Sequence, residues 1–176
     1  MRKLVFGVVA MVLLVGCGNG GGEAGSGAPA GSGAPAGGEA KGGLVAVELT
    51  PLPLKVMVPP GGMGAMDMSI GEAKSVTVDI GDGASLNVSE ADKDLAAMKK
   101  SYEADTILFP FKKWAKEDAA MAIVQFENEG KTGFIGFTIK DIGGKKYACK
   151  TTGLSGVASA ELAEKQLKVC DSISAK

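Results

Sequence analysis

Histidine is missing from this chain of 176 residues, and arginine occurs once, as Arg2. Without histidine there is no Ser-His-Asp or Cys-His constellation and no imidazole zinc site. Beyond Arg2 the chain cannot form a bidentate guanidinium clamp on a carboxylate or phosphate. Aromatics make up only 5% of residues, and 19 basic side chains meet 20 acidic ones for a net charge of -1. That balance removes the electrostatic basis of nucleic-acid binding. Catalytic motifs are equally sparse, since residues 44–176 hold neither Gly-x-Ser-x-Gly nor Ser-x-x-Lys. Gly130-Lys131-Thr132 looks like the end of a phosphate-binding loop. Gln125, however, stands where that loop needs its first glycine, and the flanks read as strand to strand. Asp79-Ile80-Gly81-Asp82-Gly83 lacks the alternating oxygen ligands of a calcium loop. Glu117-Asp118 reads as solvated surface and not as an acid–base pair. A non-enzymatic protein is expected.

What is present falls into three unlike segments. Arg2 and Lys3 precede an apolar run from Leu4 to Val15. Twelve helical residues reach about 18 Å, short of the roughly 30 Å hydrocarbon core, so the run is too short for a membrane-spanning helix. It ends in Leu14-Val15-Gly16-Cys17, which resembles the lipobox of bacterial lipoproteins. The resemblance covers residues 1–17. It implies that residues 1–16 are a signal peptide removed by signal peptidase II, and that Cys17 carries a covalent lipid, the only prosthetic group expected. It also implies a membrane partner reached through that lipid. Gly18 and Asn19 do not match the aspartate that retains lipoproteins in an inner membrane. The outer membrane is therefore favoured in a cell that has one, with the protein facing the periplasm or the cell surface.

Residues 17–43 follow as the lipidated cysteine and a tether. Gly-Ser-Gly-Ala-Pro-Ala occurs twice in succession, at 25–30 and 31–36, among further glycines. No side chain there is large enough to offset the entropy of ordering, so a disordered coil is expected, with an r.m.s. span of roughly 28 Å.

Residues 44–176 suffice for one globular domain. Leu54 to Val58, Ala73 to Asp79, Ala84 to Val88, and the stretches near 120–127, 133–140 and 145–151 read as strands. Asp82-Gly83, Asn128-Glu129-Gly130-Lys131 and Asp141-Ile142-Gly143-Gly144 supply their turns. Ser89, with Asp92 three positions on, is expected to start a helix whose stripe is Ala91, Leu95, Met98 and Tyr102. A second helix is expected over Ala158 to Ser174, and residues 106–116 read as either a strand or an irregular excursion. The pattern specifies an α+β fold: an antiparallel sheet with two packed helices and one disulfide. That disulfide follows from arithmetic. Once Cys17 carries lipid, Cys149 and Cys170 remain as an even pair in an exported chain, and a bridge between them would clamp the last helix to the sheet.

Two features are candidates for binding. Met57, Met63, Met66 and Met68 fall within twelve residues. The cluster resembles the methionine motifs of exported copper-handling proteins, and the resemblance implies a Cu(I) site built from thioethers. Methionine is also a filler of irregular gaps, and packing against the sheet is the expectation. Phe109-Pro110-Phe111-Lys112-Lys113-Trp114-Ala115-Lys116 gathers the sole tryptophan with three lysines. Lys112, Lys113, Trp114 and Lys116 suit an anionic envelope polymer, or else the aromatics enter the core while the lysines stay in water. The function expected is that of a lipid-anchored envelope lipoprotein with a binding or interaction domain, its partner an envelope protein or polymer.

Overall fold

Strands, several of them closed by glycine turns, make up about half of the described residues. The computed structural model describes residues 43–62 and 64–176, all within one compact unit. Its first half runs β1 (Val45–Glu48), β2 (Leu54–Val58), β3 (Gly64–Asp67), β4 (Ser75–Gly81), β5 (Ala84–Glu90) and α1 (Leu95–Glu103). The second half runs β6 (Phe111–Glu117), β7 (Met121–Asn128), β8 (Lys131–Ile142), β9 (Lys145–Thr151), α2 (Ala160–Cys170) and β10 (Ser174–Ala175). Seven strands pair in the order β3-β4-β5-β9-β8-β7-β6, and three more in the order β1-β2-β10. Every pairing is antiparallel. The α+β class with two helices on an antiparallel framework is the observed architecture.

Three hairpins set the register of the large sheet. Their turn residues are Asp82-Gly83, Glu129-Gly130 and Gly143-Gly144, all with φ between 51° and 76°. Two successive left-handed residues give the turn whose twist matches the strands it joins. Glycine at the second position of each turn accepts that backbone without a Cβ penalty.

The large sheet carries an apolar core on each face, the second with its buried residues confined to β7 and β8. On one, Val76, Val78, Leu86, Val88 and Cys149 pack with Leu54, Val56 and Val58 of the small sheet and with Ala163, Leu167 and Cys170 of α2. On the other, Ala122, Val124, Phe126, Ile135 and Phe137 meet Leu95, Met98 and Tyr102 of α1, together with Phe109, Phe111 and Trp114. Period-two alternation on β7 and β8 sorts these residues to their faces. Gly136 lets α2 approach β8 closely, since a Cβ there would lie 2.7 Å from Leu167 Cδ1. Cys149 on β9 and Cys170 at the end of α2 form the disulfide, with Cα atoms 6.1 Å apart.

Several sequence-based boundaries move. Ser89 is a strand residue, paired with Ser75 and Ala148, because the alternation of Leu86 and Val88 carries the ladder on to Glu90. The Ala91 N–H still donates to Lys146 O, so the helix start shifts to Asp94, whose Oδ1 accepts from Ala97 N at 2.8 Å. Leu95, Met98 and Tyr102 keep their stripe, while Ala91 precedes the helix. The second helix is shorter than expected at both ends. Ser159 caps its start, accepting from Leu162 N. Past its end the chain turns so that Ser174 and Ala175 pair with Lys55 and Leu54. Residues 111–117 are an edge strand with two register shifts. The methionine segment contributes β3, a strand absent from the sequence reading.

The disulfide closes a separation of 21 residues, which contributes about 3 kcal/mol on the chain-entropy view. Replacing both Cys149 and Cys170 by Ser should lower denaturant stability by about 2–5 kcal/mol while far-ultraviolet dichroism keeps its helical component. Non-reducing peptide mapping of the native protein should recover the two cysteines in one linked fragment.

Candidate functional site

The corner where α1 meets β6 gathers aromatic, basic and acidic side chains. Trp114 lies half-buried on β6, with its ring against Phe111 and Phe137 at centroid distances of 5.3 and 6.1 Å. Its Nε1 donates to Glu103 Oε1 at 2.9 Å, and Lys99 Nζ sits 5.2 Å from the ring centroid. Lys99 also pairs with Glu117. The aromatic side chains thus enter the second core, as one of the two sequence readings had it. Lys112 pairs with Glu127 at 2.9 Å and Lys116 with Glu164 at 2.6 Å. Lys113 has no carboxylate within ion-pair reach among the described residues. Exposed pairs of this kind contribute about 0–1 kcal/mol each, so a stronger polyanion could displace the carboxylates. The structure brings Lys112, Lys113, Trp114 and Lys116 onto one edge strand, but bulges after Phe111 and Trp114 break its regular alternation.

The methionines divide. Met57 is half-buried on β2 of the small sheet, opposite Ala46. Met66 belongs to the large sheet's edge strand β3 and is 66% exposed; Met68, just beyond it, is 49% exposed. These two do not pack against the sheet, contrary to the expectation, because β3 is an edge strand with nothing covering it on that side among the described residues. Residues two apart on an extended segment project the same way, so their thioethers share one side. Met63 lies outside the described residues, as do Cys17, the lipobox and residues 18–42.

Two further features were not legible in the sequence. A shallow groove of about 230 Å³ runs between α2 and the start of β7, lined by Asp118, Met121, Thr138, Glu164, Leu167 and Asp171. That is below the usual range for a small-molecule pocket. Asp118 accepts from the N–H groups of Ala120 and then Met121, which hold its carboxyl below the usual carboxylate range. A group held ionised by a turn is unsuited to act as a general acid. The second feature is a pair of loops that present aliphatic tips to solvent. Ile107 and Leu108 lie between α1 and β6, and Leu154 lies between β9 and α2; all three are more than 60% exposed. Asp105 Oδ1 accepts from both Ile107 N and Leu108 N at 2.9 Å. These bonds, with Ile107 the largest contributor, hold the Asp105 carboxyl below its ordinary value. An Asp two residues ahead of paired aliphatics was the available clue.

Among the described residues no group of three His, Cys, Asp or Glu side chains gathers as a metal site. No helix among them is long and apolar enough to cross a membrane. Comparison with protein-family models, curated proteins and solved structures finds no match.

Tyr102 anchors α1 by stacking on Phe137 at 4.8 Å. Burial, and secondarily the charge of Asp105, push its hydroxyl up to about 12 from 10.0. A raised folded value means that the phenol's contribution to stability is complete below pH 10.0 and is lost as pH climbs toward about 12. Phenolate absorbance should therefore show a late-titrating tyrosine near pH 12. Tyr102→Phe should abolish that step and flatten the alkaline loss of stability.

Proposed function

We propose that this chain is a non-enzymatic, lipid-anchored lipoprotein of the cell envelope whose α+β domain serves as a binding or interaction module. The observation that carries the reading is Leu14-Val15-Gly16-Cys17, placed after a basic start and a short apolar run. The Cys149–Cys170 bond supports it in two ways. It uses the only other cysteines, leaving Cys17 as the one thiol for lipid. Such a bond also persists in the oxidising compartments that exported proteins reach. Two or three acyl chains on Cys17 hold a protein at a bilayer durably, where one would exchange. With Gly18 and Asn19 next in line, the outer membrane is the favoured site in a cell with two membranes. The partner is an envelope protein, or an anionic polymer meeting Lys113 and its neighbours.

Mass spectrometry of membrane-extracted protein should find acyl mass on an N-terminal Cys17 and no residue ahead of it. Cys17→Ala should remove that mass and block the processing. A free Cys17 thiol in the native protein would overturn the reading.

One observation favours a second reading, Cu(I) handling. Met66 on edge strand β3 and Met68 just beyond it offer two exposed thioethers, two residues apart. Thioether carries no proton to lose, so affinity should change little with pH near neutrality. If this reading holds, competition against a Cu(I) chromophore will show binding by the parent protein and none after joint replacement of Met63, Met66 and Met68 by Leu. The swap nearly conserves volume, so the fold is retained. Equal binding by both proteins, or binding by neither, removes the copper reading.

A further inference from the structure

The two aliphatic loops meet at one end of the large sheet, around the side chain of Phe126. Phe109, directly after Ile107 and Leu108, sets its ring edge-on to Phe126 with centroids 5.0 Å apart. A Cβ added to Gly156 would lie 2.7 Å from Phe126 Cε1, so the loop that carries Leu154 abuts the same ring. A Cβ on Gly133 would run into both Phe126 and Ser155 O, which makes glycine the residue that lets this loop settle there. Asn128 Nδ2 donates to Leu108 O and ties the first loop to the β7–β8 turn.

Each loop is held by its own polar bonds. Asp105 takes the N–H groups of Ile107 and Leu108, and Gly156 N donates to Gly153 O across the second loop. Gly153 and Gly156 adopt φ of 114° and 66°, which an ordinary side chain resists. Backbone groups already satisfied can enter a poorly hydrating medium at reduced cost. The apolar tips are convex, so a protein partner would need a matching pocket, whereas acyl chains and headgroups conform to them. Nearby charge is of both signs: Lys112 is paired with Glu127, Lys131 and Glu129 flank Gly130, and the Asp105 carboxylate is capped by the N–H groups of its own loop.

We propose that Ile107, Leu108 and Leu154 dip into the surface of the bilayer that holds Cys17, so that the domain docks on the membrane by this end. The inference rests on the lipid-anchored reading. Residues 18–43 separate Cys17 from Leu44. Lipid on Cys17 would therefore raise the domain's effective concentration at the lipid surface. Three side chains too few to bind a membrane from free solution then suffice to orient a domain already beside it. Because no cluster of lysines stands beside the three tips, docking rests on apolar insertion and does not require anionic lipid.

The test uses the full-length protein reconstituted in phosphatidylcholine vesicles, with a thiol-reactive, polarity-sensitive fluorophore. Wild-type protein should take up no label, since Cys17 is acylated and the other cysteines are bonded. Label at Leu154→Cys should be blue-shifted and quenched several-fold by lipids carrying a shallow nitroxide. Label at Lys146→Cys, beside the β8–β9 turn at the other end of β8, should not. Adding phosphatidylglycerol should leave both signals unchanged, and Ile107→Ser with Leu108→Ser should relieve the quenching at position 154. Labelling of wild-type Cys17 would overturn the anchoring and with it this tethered docking. Unlabelled wild type with no quenching at position 154, or equal quenching at both positions, would overturn the docking alone. Shielding of position 154 only in native envelope membranes would do so too, and would indicate a protein occupant.

Discussion

The contact between α2 and the large sheet, fixed by the Cys149–Cys170 bond, is the constraint on which the remainder of the structure hangs. Cys149 sits on β9, between β5 and β8, and Cys170 is the last residue of the helix. With the helix held there, Leu167 lies over Gly136 and the chain emerges where Ser172 Oγ can accept from Met57 N at 2.9 Å. Ser174 and Ala175 then pair with β2, completing the small sheet that closes the main core. The third strand, β10, is only two residues long and is brought to β2 by the chain leaving the helix, so completion of the small sheet depends on where the helix ends.

The second face of the large sheet uses a different material. Of the nine aromatic residues in the chain, Tyr102, Phe109, Phe111, Trp114, Phe126 and Phe137 gather here. A nine-residue helix with no fully buried side chain cannot hold itself in place by its own aliphatic stripe. Large rings supply the missing area, and their mutual tilts add specific geometry. One consequence is that aromatics beside lysines are mostly committed to packing. Another is that the loop leading into β6 is rooted in the core at Phe109 while Ile107 and Leu108 stay outside.

Legibility followed locality. β2 was read with its observed limits, because Leu54, Val56 and Val58 alternate and two prolines stop the strand. β7, β8 and β9 were read to within a few residues for the same reason. Ser89 misled because a capping-box pattern and a continuing strand both fit its neighbours, and the choice was made by β9, some sixty residues away. β3 was invisible: Gly64-Ala65-Met66-Asp67 has no strand signature, and it is extended only because β4 offers it an open edge. The exposure of Met66 and Met68 was lost with it, since a reading that lacks the edge strand has no outward side to assign. The groove beside α2 and the meeting of the two aliphatic loops depend on residues far apart in the chain, and no periodicity marks them.

By itself the sequence determined what depends on near neighbours or on counting: the glycine turns that fix three hairpins, the apolar alternation of the central strands, the pairing of two cysteines once a third is set aside, and the α+β class that follows. Only the tertiary structure decided which strands lie at the edges, where each helix starts, which methionines face water, and which loops stand side by side. The physical reason is that turn backbone and strand alternation are energies of residues a few positions apart. Edge or centre, and buried or bare, are set instead by partners brought from elsewhere in the chain.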